Sequence, residues 1–336
     1  MATTALTPEN ADQKPAETLV EFPDNLLLIE LCGEFDRNLA QIEQGLDVQI
    51  LRRGNELALY GEEASRLRAA ETLRALYTRL ETGSTVEPGD VDGAIRLGAV
   101  EDAPNGNGES QLEMFKGGKT EIKTRKKSVA PRTAMQAEYV GKLFKNDVVF
   151  GLGPAGTGKT YLAVAVAVSM FVEGHVDRIL LSRPAVEAGE RLGFLPGDMK
   201  DKVDPYMQPL YDALAEMKDA HNIKNLIDNG SIEIAPLAFM RGRTLKNAIV
   251  VLDEAQNTTH EQMKMFLTRM GENSRLIITG DISQIDLPAE TESGLKIAIE
   301  TMTDVDGLAI HEFTTTDVVR HEMVGRMINA YEKNGL

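Results

Sequence analysis

The side chains best suited to chemistry lie in one glycine-rich segment that follows an apolar run at residues 148–150. The segment is Gly153-Pro154-Ala155-Gly156-Thr157-Gly158-Lys159-Thr160, which fits the pattern G-x-x-x-x-G-K-[ST]. In this pattern the glycines let backbone N–H groups turn inward around phosphate oxygens, and the following helix adds the positive end of its dipole. We expect Lys159 to contact the β- and γ-phosphates of a nucleotide and Thr160 to bind Mg²⁺ through its hydroxyl. The alternative is a plain glycine-rich turn before a core helix, which the order of strand, loop and helix disfavours.

Two carboxylates, Asp253 and Glu254, follow a second apolar run at residues 249–252. Ligands of open α/β sheets bind at the carboxyl edge of the strands. We expect Asp253 to hold Mg²⁺ there and Glu254 to orient and deprotonate an attacking water. Taken alone, the pair fits equally well an acidic strand end that caps the next helix. Together with the glycine-rich segment it favours phosphoryl transfer.

A third apolar run, at residues 276–279, leads to Gly280-Asp281-Ile282-Ser283-Gln284. The amide of Gln284 can donate to a γ-phosphate oxygen and accept from a water, which suits a sensor of hydrolysis. The alternative is a loop whose Asp and Ser only cap the following segment. The series of strand, Asp-Glu, strand and Gly-Asp-x-x-Gln is similar to that of nucleic-acid-stimulated ATPases of helicase superfamily 1.

A parallel sheet is needed to bring these residues together, and the chain from about residue 131 onward has the pattern of one. Apolar, β-branched runs alternate there with helical patterns, at residues 148–150, 178–181, 232–234, 248–252, 276–278 and 308–310. This alternation predicts an α/β fold over residues 131–336, a RecA-like P-loop NTPase sheet covered by helices on both faces.

A small α+β domain is predicted at residues 18–85, after a disordered tail at residues 1–17. It contains an apolar strand at residues 26–29, a helix with Leu39, Ile42 and Leu46 on one face, two strands joined at Gly54-Asn55, and a second helix at about 62–80. Residues 86–130 hold a further helical segment and a basic linker.

The net charge of -16 and the pI of about 4.9 argue against a protein that coats nucleic acid by bulk attraction. Any contact with RNA must be local, and the dense basic stretch consists of Lys116, Lys119, Lys123, Arg125, Lys126, Lys127 and Arg132. A solvated linker is the alternative interpretation of this stretch. The single cysteine, Cys32, excludes an internal disulfide and is expected to be buried. Without a membrane-length apolar run or a signal-peptide pattern, a cytoplasmic protein that does not contact membranes is expected.

The motifs also resemble one family closely. The matching segments are GLGPAGTGKTYLAVAVAV, SRPAVEAGERLGFLPGD (182–198), FMRGRTL (239–245), VLDEAQN (251–257), TGDISQIDLP (279–288) and DVVRH (317–321). Together they are similar to the PhoH-like protein family, P-loop ATPases related to superfamily 1 helicases, over residues 131–336. The preceding part resembles the bacterial long form of the family, in which a KH-like domain, here at about residues 20–85, is joined to the ATPase.

The resemblance implies roles for further residues. Gln136 resembles an upstream glutamine that hydrogen-bonds the edge of adenine, which favours ATP, and no Asn-Lys-x-Asp guanine-reading motif occurs in the chain. Arg320 resembles an arginine that contacts the γ-phosphate of its own or a neighbouring subunit, where a guanidinium stabilises charge on the transferring phosphoryl group. A surface salt bridge is the alternative role for Arg320. For Arg241 and Arg243 the same two roles are considered, a contact with the γ-phosphate and a surface salt bridge.

The resemblance also implies a function: an RNA helicase or RNA-remodelling ATPase in ribosomal RNA metabolism. The resemblance further implies a homo-hexameric ring and, as a partner, the endoribonuclease that matures ribosomal RNA. The basic linker and the 183–191 loop are the candidate RNA contacts. The alternative is an ATP-dependent switch or adaptor that binds a protein partner such as that endoribonuclease without unwinding. A phosphotransferase ranks last, because no acceptor-binding lid is evident.

The KH-like resemblance is weakest at the loop that grips nucleic acid. KH domains clamp the backbone with a GXXG loop, and the matching residues here are Gly33-Glu34-Phe35-Asp36. The second glycine is missing, and two acids would repel phosphate. We therefore expect this domain to hold subunits together or to dock a protein in preference to gripping RNA.

Overall fold

The structure is a computed structural model that describes residues 17–81, 83, 85–99, 122–124, 126, 128–184, 199–303, 305–319 and 327. Residues 1–16 of the predicted tail lie outside the described residues, whereas Glu17 begins a strand and was wrongly placed in the tail. The basic residues Lys116, Lys119, Arg125 and Lys127, and Arg320, also lie outside the described residues. The chain divides into two compact units, Met1–Lys119 and Thr120–Leu336. Within the described residues, no helix has both the length and the apolar character that crossing a membrane requires.

The first unit is a three-stranded antiparallel sheet covered by helices. Its elements are β1 (Glu17–Glu21), α1 (Asn25–Cys32), α2 (Arg37–Leu46), β2 (Val48–Arg53), β3 (Glu56–Gly61), α3 (Glu63–Glu81) and α4 (Pro88–Ala99). The strand order is β1-β3-β2. Helix α3 contributes Leu73, Leu76 and Leu80 to the core at helical spacing, and α2 contributes Ile42. The predicted α2, the hairpin at Gly54-Asn55 and α3 are all present.

The apolar run at residues 26–29 is a helix, and its prediction as a strand was wrong. Asp24 caps helix α1 because its carboxylate accepts from the N–H of Leu26 at 2.8 Å. The buried residues Leu28, Leu31 and Cys32 recur at the spacing of one helical face. A four-residue apolar run does not distinguish strand from helix. The strand of this region is β1, which precedes the run, and Cys32 is buried as predicted.

Helix α4 belongs to the first unit by packing. It lies against α2 and α3, and its residues Val91 and Ala94 are buried in the same hydrophobic core. Arg79 of α3 and Asp90 of α4 also form an ion pair at 3.4 Å with both side chains largely buried. The first unit therefore extends beyond residue 85.

The second unit contains a parallel sheet of six strands within the described residues. Its elements are the short strands β4 (Ile122–Lys123) and β5 (Ser128–Val129), then α5 (Ala134–Lys145), β6 (Val148–Leu152), α6 (Lys159–Val172), β7 (Arg178–Arg183), α7 (Met199–Met217), α8 (Ala220–Asp228), β8 (Ile232–Pro236), β9 (Ala248–Leu252), α9 (His260–Leu267), β10 (Arg275–Gly280), α10 (Gly294–Thr301) and β11 (Leu308–Glu312). The sheet order is β11-β6-β10-β9-β7-β8. All six predicted strands take part, and each neighbouring pair is parallel.

Helices cover both faces of this sheet. Along β9, Ile249 and Val251 join a core with α5, α6 and α7, whereas Val250 and Leu252 join a second core with α9 and α10. Alternate residues of a strand point to opposite faces, so a strand that is buried throughout needs cover on each side. The predicted α/β class is confirmed.

The strand order explains how distant motifs meet. Strand β10 lies between β6 and β9, with Gly280 paired to Leu152 and Ile278 paired to Leu252. The loops after β6, β9 and β10 therefore leave the same edge of the sheet side by side. These loops carry the glycine-rich segment, Asp253-Glu254 and Gln284.

Candidate nucleotide site

The glycine-rich loop has the backbone shape that phosphate binding requires. Left-handed or related positive φ angles occur at Gly153 (135°), Gly156 (89°) and Gly158 (83°), where a side chain would be strained. Gly153 is also sterically confined, since a Cβ there would lie 2.6 Å from the carbonyl oxygen of Phe313. Helix α6 begins immediately after Gly158, so its free N–H groups face the loop.

Lys159 is anchored on the loop itself. Its Nζ donates to the carbonyl oxygens of Gly153 at 2.6 Å and Pro154 at 2.8 Å. The hydroxyl of Thr157, which is fully buried, also donates to the Pro154 oxygen. The ammonium group is thereby held at the mouth of the cradle, where a phosphate could exchange for a carbonyl oxygen.

Thr160 and Asp253 form the candidate magnesium site. The Thr160 hydroxyl donates to Asp253 Oδ1 at 2.6 Å, and the buried Thr279 hydroxyl donates to the same oxygen at 2.7 Å. Backbone N–H of Asp253 donates to the Ser182 carbonyl, which fixes the strand end. No group of three or more His, Cys, Asp or Glu side chains suited to a metal occurs among the described residues. One carboxylate and one hydroxyl fit Mg²⁺, which takes its other ligands from phosphate and water.

Glu254 is held by contacts on both carboxylate oxygens. Arg183 Nη2 lies 3.3 Å from Glu254 Oε1, and the Gln256 amide donates to Oε2. The backbone of Glu254 is left-handed, with φ of 52°, which is uncommon for a residue with a side chain and marks a constrained position.

Gln256 also supports the loop that carries Gln284. Its Oε1 accepts from the backbone N–H of Asp281 at 3.0 Å, and its side chain is 1% exposed. Asp281 in turn accepts from Gln284 Nε2 at 2.9 Å and from the Ser283 hydroxyl. The loop is therefore capped by its own Asp, as the alternative interpretation expected, while Gln284 still lines the cleft.

Gln136 lies beneath the glycine-rich loop. Its Nε2 donates to the Thr157 carbonyl at 2.9 Å, and its Oε1 accepts from the backbone N–H of Arg132 at 2.6 Å. The residue is 5% exposed. The oxygen and the nitrogen of the Gln136 amide thus both bond backbone groups of the protein. The predicted contact with adenine would require the amide to give up these two hydrogen bonds.

A cleft of about 270 Å³ joins most of the predicted site residues. Its lining consists of Ala155, Gly156, Gly158, Lys159, Thr160, Tyr161, Asp253, Glu254, Gly280, Asp281 and Gln284. Sequence reasoning did not single out Gln256 or Thr279, although both stand within the motifs that carry Glu254 and Gln284.

Buried aromatic groups support the strand that precedes the loop. Tyr139 packs against His311 and Phe313, with ring centroids 5.4 and 5.2 Å away. Burial, and then the charge of Asp253, raise the pKa of Tyr139, while burial and then Lys142 lower the pKa of His311. Both groups are therefore held neutral. Gly151 fits beneath Tyr139 because a Cβ would lie 2.5 Å from its hydroxyl.

The predicted arginines differ in their surroundings. Arg243 forms a bidentate ion pair with Glu233, at 2.6 and 2.7 Å, and these hydrogen bonds lower the pKa of Glu233. Arg243 therefore has the role of a salt bridge, which was the alternative to a phosphate contact. Arg241 is exposed at the end of a short 3-10 helix, Leu237–Met240. Within the basic linker, Lys126 donates to the Ala215 carbonyl. Arg191 and Arg320 lie outside the described residues.

The sheet order, the glycine-rich loop before α6 and the carboxylates after β9 define a P-loop NTPase fold. The family model described as PhoH-like protein matches residues 128–332. The chain is 48% identical over 314 residues to the PhoH-like protein of Bacillus subtilis (strain 168), which covers 93% of this chain and 95% of that protein. It is 45% identical over 324 residues to the PhoH-like protein of Mycobacterium tuberculosis (strain ATCC 25618 / H37Rv), covering 96% and 89% respectively. The chain belongs to the PhoH-like protein family.

Two more distant similarities cover less of the chain. Protein PhoH of Escherichia coli (strain K12) is 43% identical over 205 residues, which is 60% of this chain and 58% of that protein. Among solved structures, the Pif1 helicase from Candida albicans overlaps 58% of this chain and 42% of its own, with 13% identity and a TM-score of 0.32. The family assignment stands on the closer relatives.

Proposed function

We propose that the protein is a Mg²⁺-dependent ATPase whose active site is the cleft at the carboxyl edge of β6, β9 and β10. The proposal is supported above all by one observation: Lys159, Thr160, Asp253, Glu254 and Gln284 line the same cleft although they come from three separate loops. An NTPase needs a phosphate cradle, a metal ligand and a water-activating base at this mutual position.

In the proposed reaction, a water oxygen attacks the γ-phosphorus and the bond from that phosphorus to the β–γ bridging oxygen breaks. Glu254 orients the water and takes its proton, while Lys159 and the N-terminus of α6 stabilise the charge on the phosphates. Thr160 and Asp253 would hold a magnesium ion, which would neutralise phosphate charge when bound. Gln284 contacts the γ-phosphate or the water, so that its loop responds to hydrolysis.

Adenine selection is proposed for Gln136. Its Oε1 and Nε2 form the acceptor and donor pair that the adenine edge requires, and the present partners of that pair are two backbone groups, Arg132 N–H and Thr157 C=O. If nucleotide binding replaced these two hydrogen bonds with bonds to adenine, recognition of adenine would be coupled to the glycine-rich loop. We propose Arg320 as a γ-phosphate contact on the family resemblance alone.

On the grounds of the family resemblance, we propose that the energy of ATP hydrolysis is used to act on RNA, through local basic contacts because the chain as a whole is acidic. A homo-hexameric ring and an association with the endoribonuclease that matures ribosomal RNA are proposed on the same resemblance. The direct experiment is to measure ATP turnover without nucleic acid, with single-stranded RNA and with single-stranded DNA, together with the mass in solution. We expect turnover to rise with RNA and the stimulation to fall steeply with salt. ATP turnover that does not change when RNA is added would contradict RNA as the substrate.

A second candidate is an ATP-dependent adaptor that binds a protein partner without unwinding RNA. It is favoured by the loop at residues 33–36, where Glu34, Phe35 and Asp36 are all exposed and the two acids disfavour phosphate. Strand-displacement assays with and without the endoribonuclease distinguish the candidates. Unwinding by the protein alone supports the helicase, and ATP-dependent partner binding without unwinding supports the adaptor.

A further inference from the structure

Arg183 connects the proposed catalytic base to a neighbouring strand and helix. It is the last residue of β7, which pairs with β9 so that Ser182 lies opposite Leu252. Its Nη2 lies 3.3 Å from Glu254 Oε1, and its Nη1 donates to the Tyr206 carbonyl of α7 at 3.3 Å. One guanidinium therefore links Glu254 to helix α7, none of whose described residues lines the cleft.

The contact constrains the carboxylate that the reaction needs. A general base must direct a carboxylate oxygen at the water, and here Oε1 of Glu254 lies 3.3 Å from the Arg183 guanidinium while Oε2 accepts from the Gln256 amide. The left-handed backbone of Glu254 further limits how the side chain can move. A Glu254 in this arrangement is restrained from activating water.

The pair is also accessible enough to be exchanged. The Arg183 side chain is 24% exposed and the Glu254 side chain 36% exposed, and partly solvated ion pairs are weak. A phosphodiester anion matches the planar guanidinium at least as well as a carboxylate does. Arg183 can retain its Tyr206 contact through Nη1 while Nη2 changes partner.

We propose that Arg183 is a positioning residue that restrains Glu254, and that a phosphodiester group of a nucleic acid releases the base by taking the guanidinium. The inference rests on the proposed ATPase function and deepens it, since it supplies a route by which RNA binding raises hydrolysis. The site for the activating phosphate is at the carboxyl end of β7, adjacent to the nucleotide cleft.

The test uses the full chain and compares Arg183→Gln, which removes the charge, with Arg183→Lys, which keeps it. Arg178→Gln is the matched control: the same change at the opposite end of β7, where the side chain donates a long 3.5 Å hydrogen bond to the Lys246 carbonyl. ATP turnover is measured for all four proteins with and without single-stranded oligouridylate. Thermal melting and binding of a fluorescent ATP analogue verify that each variant is folded and binds nucleotide. Arg183→Met, which keeps the aliphatic stem, replaces the glutamine variant if the latter is unfolded.

We expect Arg183→Gln to turn over ATP without RNA roughly threefold to tenfold faster than the wild type, a change of about 1 kcal/mol in the barrier. Its further stimulation by RNA should fall below about twofold, because the restraint is already gone. Arg178→Gln should resemble the wild type, and Arg183→Lys, which keeps the charge but cannot contact Tyr206 and Glu254 through two nitrogens, should have an RNA-free rate between those of the wild type and Arg183→Gln. An RNA-free rate of Arg183→Gln equal to or below that of an active wild type overturns the proposal.

The same data separate this inference from the proposed function. If neither the wild type nor Arg183→Gln hydrolyses ATP in any condition, the proposed ATPase is overturned. If Arg183→Gln alone hydrolyses ATP, the proposed active site stands and the restraint on Glu254 is supported. RNA stimulation that is unchanged in Arg183→Gln shows that RNA acts elsewhere and contradicts the proposed release.

Discussion

The two units each contain a glycine-opened loop that leads into a helix, and the two loops differ in charge and backbone. In the loop before α6, the positive φ angles of residues 153–158 all fall on glycines, and Lys159 follows. In the loop before α2, positive φ angles fall on Gly33 and also on Phe35 (55°) and Asp36 (56°). A cation begins the helix after each loop, Lys159 in α6 and Arg37 in α2, but only the second loop contains acids, Glu34 and Asp36.

The difference teaches that a turn into a helix is not by itself an anion site. Both loops present a helix N-terminus, which favours negative charge, but two exposed carboxylates oppose a phosphate at close range. The second loop instead exposes Phe35 completely, at 101%. A strained backbone that presents an aromatic ring is better suited to a protein contact than to a phosphate.

The largest expected effect comes from removing the cation of the first loop. Lys159→Ala should lower ATP turnover by about 10²-fold or more, because one donor to the developing charge is lost, and should also weaken ATP binding. Lys145→Ala, at the exposed end of α5, is the control with the same change. Turnover assays and fluorescent-ATP titrations give the two quantities. A Lys159→Ala protein as active as the control would show that this loop is not the phosphate site.

The next effect tests whether the first loop needs its glycine geometry. Gly153→Ala places a Cβ 2.6 Å from the Phe313 carbonyl oxygen at a φ of 135°, so both strain and a clash with backbone follow. We expect a loss of about 2 to 3 kcal/mol of stability, visible in denaturant unfolding. Gly54→Ala has a positive φ of 68° with nothing within 4 Å of the new Cβ and should lose only about 1 kcal/mol. Equal losses would contradict the steric explanation.

A smaller effect should follow from making the second loop resemble the first. Glu34→Lys combined with Asp36→Gly removes both acids and adds a cation. We expect affinity for a labelled single-stranded RNA to rise by roughly fivefold at low salt, the effect of about 1 kcal/mol of exposed charge interaction, and the gain to vanish at high salt. Fluorescence anisotropy at two salt concentrations measures both. Weaker RNA binding by the double variant would mean that the natural loop already contacts RNA.

The smallest effect concerns backbone strain in the second loop. Phe35→Gly relieves a left-handed conformation that costs about 1 to 2 kcal/mol, offset by about 0.5 to 1 kcal/mol of glycine entropy. The net result should be a gain of about 0.5 to 1 kcal/mol in unfolding free energy. Phe35→Ala removes the ring but keeps the strain, so it should give no gain. A loss of stability in Phe35→Gly would show that the ring packs in solution.

The sequence was most informative where a motif and a periodicity agreed. The six strands of the second unit were predictable because apolar β-branched runs recur between helical patterns. Lys159, Asp253 and Gln284 were predictable because each belongs to a motif that follows one of those strands. Their convergence depends on β10 lying between β6 and β9, a tertiary feature that local pattern does not show.

Two kinds of feature could not be predicted in the same way. Helix α1 was mistaken for a strand because Leu26 to Ile29 is too short to show a period, and the Asp24 cap decides it. The contacts of Arg183 and Gln256 with Glu254 depend on side chains brought together by the β7–β9 pairing and by a left-handed turn. Neither signal is present in residue types alone.

The central claim, that Glu254 activates water for ATP hydrolysis in the cleft, is tested most directly by Glu254→Gln. Glutamine keeps the size of the side chain and removes its capacity to accept a proton. We predict that this variant binds a fluorescent ATP analogue with nearly wild-type affinity while ATP turnover falls by about 10²- to 10⁴-fold. Glu312→Gln, at the exposed end of the edge strand β11, should retain turnover. Near-normal hydrolysis by Glu254→Gln would contradict the assignment of the base.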